Sequence, residues 1–224
     1  MGDYATVAYD AATGAQLWVS RYNGPASRAD SARSVAVGPH GGTVYVTGAS
    51  TGVGTHSDYA TIAYNAATGA QRWVSRYNGR RRKYDRAASV AVAPGGHTVY
   101  VTGTSGRAFA TVAYDAATGA QRWVSRFTGG ASNNDRAFSL AVSPSGGMVY
   151  VTGFALNRIS GDMDIATVAY RAATGALLWA RLGPPPRHSR RHRLCLRSAW
   201  PTWRHRWRRG TRPWRCPCRR RIYC

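Results

Sequence analysis

Residues 44–54, VYVTGASTGVG, run a short apolar strand into Gly48, Gly52 and Gly54. Glycines spaced in this way let a backbone close on a pyrophosphate, provided that a helix N-terminus follows. Few other stretches could do chemistry. Asp162 and Asp164 are the one close acidic pair, and two carboxylates are a weak start for a calcium site, which takes six to eight oxygens. Cys195, Cys216, Cys218 and Cys224 lie near His188, His192 and His205, but Cys216-Pro-Cys218 lacks the pair spacing of a zinc site. Arg80-Arg81-Arg82-Lys83 is a run of cations, read as a solvated loop or, more sharply, as a contact for an acidic partner.

A pyrophosphate turn needs a βαβ unit around it. The turn resembles the TGxxxGxG signature of short-chain dehydrogenases, whose catalytic partner is Tyr-x-x-x-Lys. That partner is missing: Lys83 is the only lysine, and Gly79 stands four residues before it. After Gly54 comes THSDYATIAYNAATGAQRW, which alternates with period two and carries no helical stripe. VYVTG also returns at 99–103 and 149–153 without the glycines, so the strand is a repeat element and Gly52 and Gly54 belong to a variable loop.

The repeat dominates the chain. YATVAYDAATGAQLW begins at Tyr4, and its copies begin at Tyr59, Phe109 and Ile165, at steps of 55, 50 and 56 residues. A second unit lies between them, as SVAVGPHGGTVYVTG from Ser34, with copies from Ser89 and Ser139. Each period reads as four short strands: SVAV, TVYVTG, YATVAYD and AQLWVSRY. The last two are joined by Ala-Ala-Thr-Gly, a tight hairpin whose Gly14, Gly69, Gly119 and Gly175 take positive φ without a Cβ clash. Four strands in roughly 40–50 residues are the signature of a propeller blade.

The stretch Ala8 to Trp18 fits A-x-D-x-x-T-G-x-x-x-W through Ala8, Asp10, Thr13, Gly14 and Trp18. It resembles the tryptophan docking motif of quinoprotein (PQQ-like) propellers, and the whole period is similar to bacterial SBBP-type repeats. The motif recurs at Ala63, Asn65, Thr68, Gly69 and Trp73, and at Ala113, Asp115, Thr118, Gly119 and Trp123. The fourth copy keeps Ala169, Thr174, Gly175 and Trp179 but has Arg171 in place of Asp. The resemblance covers residues 3 to 182. It implies that the motif joins the outer two strands of a blade and that each indole packs on the next blade. It also sets the phase, with SVAV innermost: an outer half blade at 4–22, then blades at roughly 33–77, 88–127 and 138–182. The expected fold is all-β, an incomplete propeller of about three and a half blades. Such a number does not close a ring, and open edges invite self-association. The chain therefore reads as part of a larger propeller or as a truncated gene product.

Residues 183–224 differ in kind. They hold all four cysteines, four of the eight tryptophans, 14 of the 31 basic residues and none of the nine acids. Residues 1–182 carry a net +8, and the tail adds +14. Three readings stand: a disordered basic segment, a nucleic-acid or anionic-membrane binder, and a stretch translated out of frame. The last fits a breakpoint where another SVAV–TVYVTG half blade is due, and a composition of Arg, Pro, Trp, Cys and His.

No catalytic set stands out. The chain has no Glu, and its Asp residues mostly recur once per period: Asp10 and Asp115 in hairpins, and Asp30, Asp85 and Asp135 ahead of each inner strand. His40 and His97 sit in turns. The expected protein is a non-catalytic scaffold with no cofactor and no metal, whose variable loops bind a protein or glycan. The alternatives are a fragment of a PQQ-dependent oxidoreductase and, if the tail is genuine, a nucleic-acid or membrane binder. No run of 18 apolar residues and no signal peptide pattern is visible. The resemblance implies a parent protein that is often exported.

Overall fold

In a computed structural model, residues 2–79, 84–130, 134–157 and 161–183 are described. The chain divides into Met1–Pro186 and Arg187–Cys224, and the described residues all belong to the first unit. The Arg80–Lys83 run and the basic tail beyond residue 183 lie outside them.

Every described element is a strand. The hairpin β1 (Tyr4–Tyr9) and β2 (Gln16–Tyr22) forms a two-stranded sheet. The first full blade is β3 (Asp30–Val37), β4 (Thr43–Thr51), β5 (Ser57–Asn65) and β6 (Gln71–Tyr77). The second is β7 (Asp85–Val92), β8 (Thr98–Ser105), β9 (Ala108–Asp115) and β10 (Gln121–Phe127). The third is β11 (Arg136–Val142), β12 (Met148–Leu156), β13 (Met163–Arg171) and β14 (Leu177–Gly183). Each is an antiparallel meander whose strands pair in chain order. Val, Thr and Tyr at alternate positions favour the pleated conformation, and the short links between them allow no other pairing. The inner strands β3, β7 and β11 pack against one another in turn. Among the described residues the sheets do not close into a ring, so the fold is an incomplete β-propeller.

The core lies between blades, in three clusters. Tyr4 of the half blade packs with Val46, Ile62 and Tyr64 of the first blade. Tyr45, Tyr59 and Trp73 of the first pack with Val99, Val101, Val112 and Tyr114 of the second. Tyr100, Phe109 and Ala113 of the second pack with Val149, Val151, Val168 and Tyr170 of the third. A middle strand such as β9 is therefore buried on both faces, whereas β1 alternates.

Each inner strand starts a few residues earlier than the repeat boundary suggests, at Asp30, Asp85 and Arg136. Each also carries a bulge, between Ala32 and Ser34, Ala87 and Ser89, and Ala137 and Ser139. The glycine stretch is no pyrophosphate turn. Strand β4 runs on to Thr51, Gly52–His56 reverse the chain, and strand β5 follows where a helix would be needed.

Candidate functional site

The repeat motif is built from its hairpin outward. In the first copy the Asp10 Oδ1 accepts hydrogen bonds from the Ala12 amide (3.1 Å), the Thr13 amide (2.8 Å) and the Thr13 hydroxyl (2.7 Å). Asn65 Oδ1 accepts from the Ala67 and Thr68 amides at 2.9 and 3.1 Å. Asp115 Oδ1 accepts from the Ala117 and Thr118 amides and the Thr118 hydroxyl at 2.9–3.0 Å. A short side-chain acceptor tying down the amides two and three residues on is an Asx turn. Arg171 has no such acceptor, and its hairpin is held by backbone bonds, with the Gly175 amide donating to the Arg171 carbonyl at 2.8 Å, and by the Thr174 hydroxyl, which accepts from the Ala176 amide at 3.3 Å. The hairpins close on Gly14, Gly69, Gly119 and Gly175, with φ between 71° and 74°. The Arg122 guanidinium beside Asp115 (2.7 Å), with the Thr118 amide and hydroxyl, holds that carboxyl well below the usual carboxylate range.

Each motif tryptophan stands directly across the strand pair from the motif alanine: Ala8 from Trp18, Ala63 from Trp73, Ala113 from Trp123, Ala169 from Trp179. The small methyl leaves room for the indole to lean out of its own sheet and onto the next. Trp18 Nε1 donates to the Ala66 carbonyl (2.9 Å), Trp73 to Ala116 (3.1 Å) and Trp123 to Ala172 (3.0 Å). Those carbonyls belong to the hairpin of the following blade. The six-membered ring lies on the hairpin glycine, so that a Cβ at Gly69, Gly119 or Gly175 would sit 2.5–2.7 Å from indole carbons. Ser20, Ser75 and Ser125 add a second bond each, donating to the carbonyls of Gly69, Gly119 and Gly175. One motif thus supplies both a donor, the Trp, and an acceptor, the hairpin of the next copy.

The series has two ends. Among the described residues nothing approaches within 4 Å of a Cβ placed at Gly14, and Tyr9 is 60% exposed where Tyr64, Tyr114 and Tyr170 are 1% exposed. At the far end Trp179 is 38% exposed, against 8% for Trp73.

The acids are engaged in the same architecture. Asp30, Asp85 and Asp135 are buried, and each accepts from the amide of a glycine in the loop before it: Gly24 (2.5 Å), Gly79 (2.6 Å) and Gly129 (2.8 Å). Burial raises the Asp85 carboxyl above its ordinary value. Asp58 pairs with Arg76 at 3.0 Å, and Arg76 also donates to Tyr22 of the half blade (3.0 Å). Asp164 accepts from Asn157 Nδ2 at 2.6 Å. Among the described residues no three His, Asp, Glu or Cys side chains gather as metal ligands, and no helix is long and apolar enough to cross a membrane. His40 and His97 are exposed.

The sequence reading missed one feature. A cavity of about 550 Å³ opens beside β3, β4, β5 and the start of β7, lined by Arg28, Arg33, Arg86, His56, Tyr84 and small polar residues. The visible signal was the loop Gly52–His56, five residues where the second blade has Gly106-Arg107.

The chain matches the family described as outer membrane protein assembly factor BamB over residues 1–153 and 58–195. No curated protein matches it. Among solved structures, hydrazine synthase of Kuenenia stuttgartiensis is similar with a TM-score of 0.57 and 14% identity, over 80% of this chain and 43% of that one. A europium-containing methanol dehydrogenase gives 0.55 and 15%, over 82% and 40%. BamB from Moraxella catarrhalis gives 0.48 and 20%, over 75% and 40%. The chain thus spans 40–43% of the length of these structures, and at 14–15% identity the likeness to the first two is one of fold. Its repeats, its sheet order and a family match over most of its length agree: the chain belongs to the PQQ-type, BamB-like family of β-propeller proteins.

Proposed function

We propose that the protein is a non-catalytic propeller scaffold whose blades hold variable loops for binding a protein or glycan. The observation that carries this reading is the use of the acids. Asp10, Asp30, Asp85, Asp115 and Asp135 are hydrogen-bonded into hairpins and inter-blade loops, and Asp58 is paired with Arg76. A general base or calcium ligand has to be spared from such duties. The Ala–Trp–Gly motif serves the same end, as a fastener between blades rather than a ligand platform, because the indole ring and its N–H both face the next hairpin.

The test is a direct comparison on the full chain. Immobilised protein is exposed to oligosaccharide and peptide panels, and a parallel sample is loaded with PQQ and calcium and assayed for dye-linked alcohol oxidation. Saturable binding without turnover is expected. Turnover above the cofactor-only control would overturn the reading in favour of a quinoprotein oxidoreductase.

A further inference from the structure

We infer that the cavity between the first and second blades binds a sugar bearing a phosphate or sulfate group. The inference rests on the scaffold reading and names a ligand class and a site for it.

Charge comes first. Arg28, Arg33 and Arg86 line the cavity, and none of the nine aspartates does. Among the described residues the side chains of these three arginines make no hydrogen bond and no ion pair. Arg86 rests over the Tyr84 ring at 5.3 Å, and Tyr84 stacks on His56 with centroids 4.5 Å apart. Three other arginines of the propeller are engaged by side-chain partners. Arg76 bonds Asp58, Ser50 and Tyr22; Arg122 bonds Asp115; Arg126 bonds Ser105 and Tyr77. Guanidinium groups left without a carboxylate in one concavity repel each other. They suit a tetrahedral oxyanion, which accepts from several N–H donors at once.

The second observation is how the cavity is built. Arg33 is the extra residue of the β3 bulge, between Ala32 and Ser34 in the register. Bulges re-aim a side chain. The same bulge holds Ala88 in the second blade and Phe138 in the third, so blade geometry does not require a cation there. Arg86 follows the loop-tying Asp85; the same position is Ser31 in the first blade and Arg136 in the third. The Gly52–His56 loop, longer than its counterpart, supplies Thr55 and His56. Arg33 and the Gly52–His56 loop are thus particular to this joint, whereas the Asp85-Arg86 step recurs as Asp135-Arg136.

Size and wall chemistry choose the ligand. A cavity of about 550 Å³ is in the range of small-molecule sites and far larger than a bare oxyanion needs. Ser31, Thr51 and Thr55 line it beside the exposed Tyr84 ring. Hydroxyl partners with an aromatic face suit a saccharide ring, and the arginines suit its charged substituent.

The experiment is calorimetry on the full chain at physiological salt, with a sulfated disaccharide, a sugar phosphate, the uncharged parent sugars and inorganic sulfate. The variants are R33A, R86A and the control R21A, which removes the same charge from β2 outside the cavity. Circular dichroism checks that each is folded. Charged sugars are expected to bind, with Kd rising about tenfold or more in R33A and in R86A and little in R21A. Neutral sugars are expected not to bind, and inorganic sulfate to compete only weakly. Stronger response to the sulfated or to the phosphorylated sugar identifies which oxyanion the site prefers. The inference is overturned if no charged sugar binds, if all three variants lose affinity equally, or if inorganic sulfate binds as tightly as the sugars. Neutral-glycan or peptide binding that survives R33A and R86A would overturn this site and leave the scaffold reading standing. PQQ-dependent turnover would overturn the scaffold reading itself.

Discussion

The hairpins β1–β2 and β5–β6 are nearly the same sequence, YATVAYDAATGAQLW against YATIAYNAATGAQRW, yet they live in different surroundings. In the second, Ile62 is buried and Tyr64 is 1% exposed, because the half blade covers that face. In the first, Val7 and Tyr9 lie open. Trp73 and Trp179 make the same contrast at the other face: one is sealed on the second blade's hairpin, the other exposed. The hairpin bonds of the motif act within a blade, whereas the contribution of its indole depends on a neighbour. That contribution appears only at a joint, as in repeat proteins whose stability resides in nearest-neighbour interfaces.

Substituting both tryptophans tests this most directly. Trp73→Ala removes a buried indole, its bond to the Ala116 carbonyl and its contact with Gly119, and should cost about 3–5 kcal/mol in urea unfolding. Trp179→Ala should cost under about 1 kcal/mol. Equal losses would place the motif's energy inside the blade and break the comparison.

Glycine to alanine comes next. At Gly14 the new Cβ meets open space, so only the positive φ counts, at about 1–2 kcal/mol. At Gly119 the Cβ also overlaps the Trp73 ring, and the cost should be at least about twice as large. Thermal unfolding of the two variants side by side reads the difference.

A smaller effect sharpens the picture at the tyrosines. Tyr59 donates across the joint to the Ala110 carbonyl at 3.1 Å, and the equivalent residue one blade later is Phe109, which cannot. Tyr59→Phe should therefore keep the packing and lose about 1 kcal/mol. A loss of 3 kcal/mol or more would mean that the hydroxyl, rather than the ring, organises that joint.

The smallest effect is electrostatic. The folded Asp115 carboxyl titrates below its unfolded value, so the stability it lends is present above pH ~4 and is lost as pH falls through the depressed folded value. Asn65 does not titrate. Hydrogen exchange at Ala117 and Thr118 should lose protection on acidification from pH 5 to 2, while Ala67 and Thr68 keep theirs. Parallel loss at both hairpins would assign the effect to global acid unfolding.

Much of the fold was legible before any coordinates. Period-two alternation, the spacing of four copies and a glycine at each hairpin specify strands, blades and their order, because those constraints act over a few residues. The short-range Asx turns at Asp10, Asn65 and Asp115 are written in the same way. Gly52 and Gly54 are ambiguous as a local pattern, since a phosphate turn and a strand-linking loop use glycine for the same backbone freedom, and the period-two alternation that follows assigns them to a loop.

Along the chain the residues specify the unit: a four-stranded blade with an indole at one side and a glycine hairpin at the other. Which units meet is settled only when the blades pack. The burial of Trp73 and exposure of Trp179 depend on a neighbour more than forty residues away. Arg33 and Arg86 face one cavity because two inner strands pack side by side and a bulge turns one residue outward. Local propensity acts along the chain, whereas burial and the convergence of like charges are set by distances in space, which a repeat encodes only once its copies have docked.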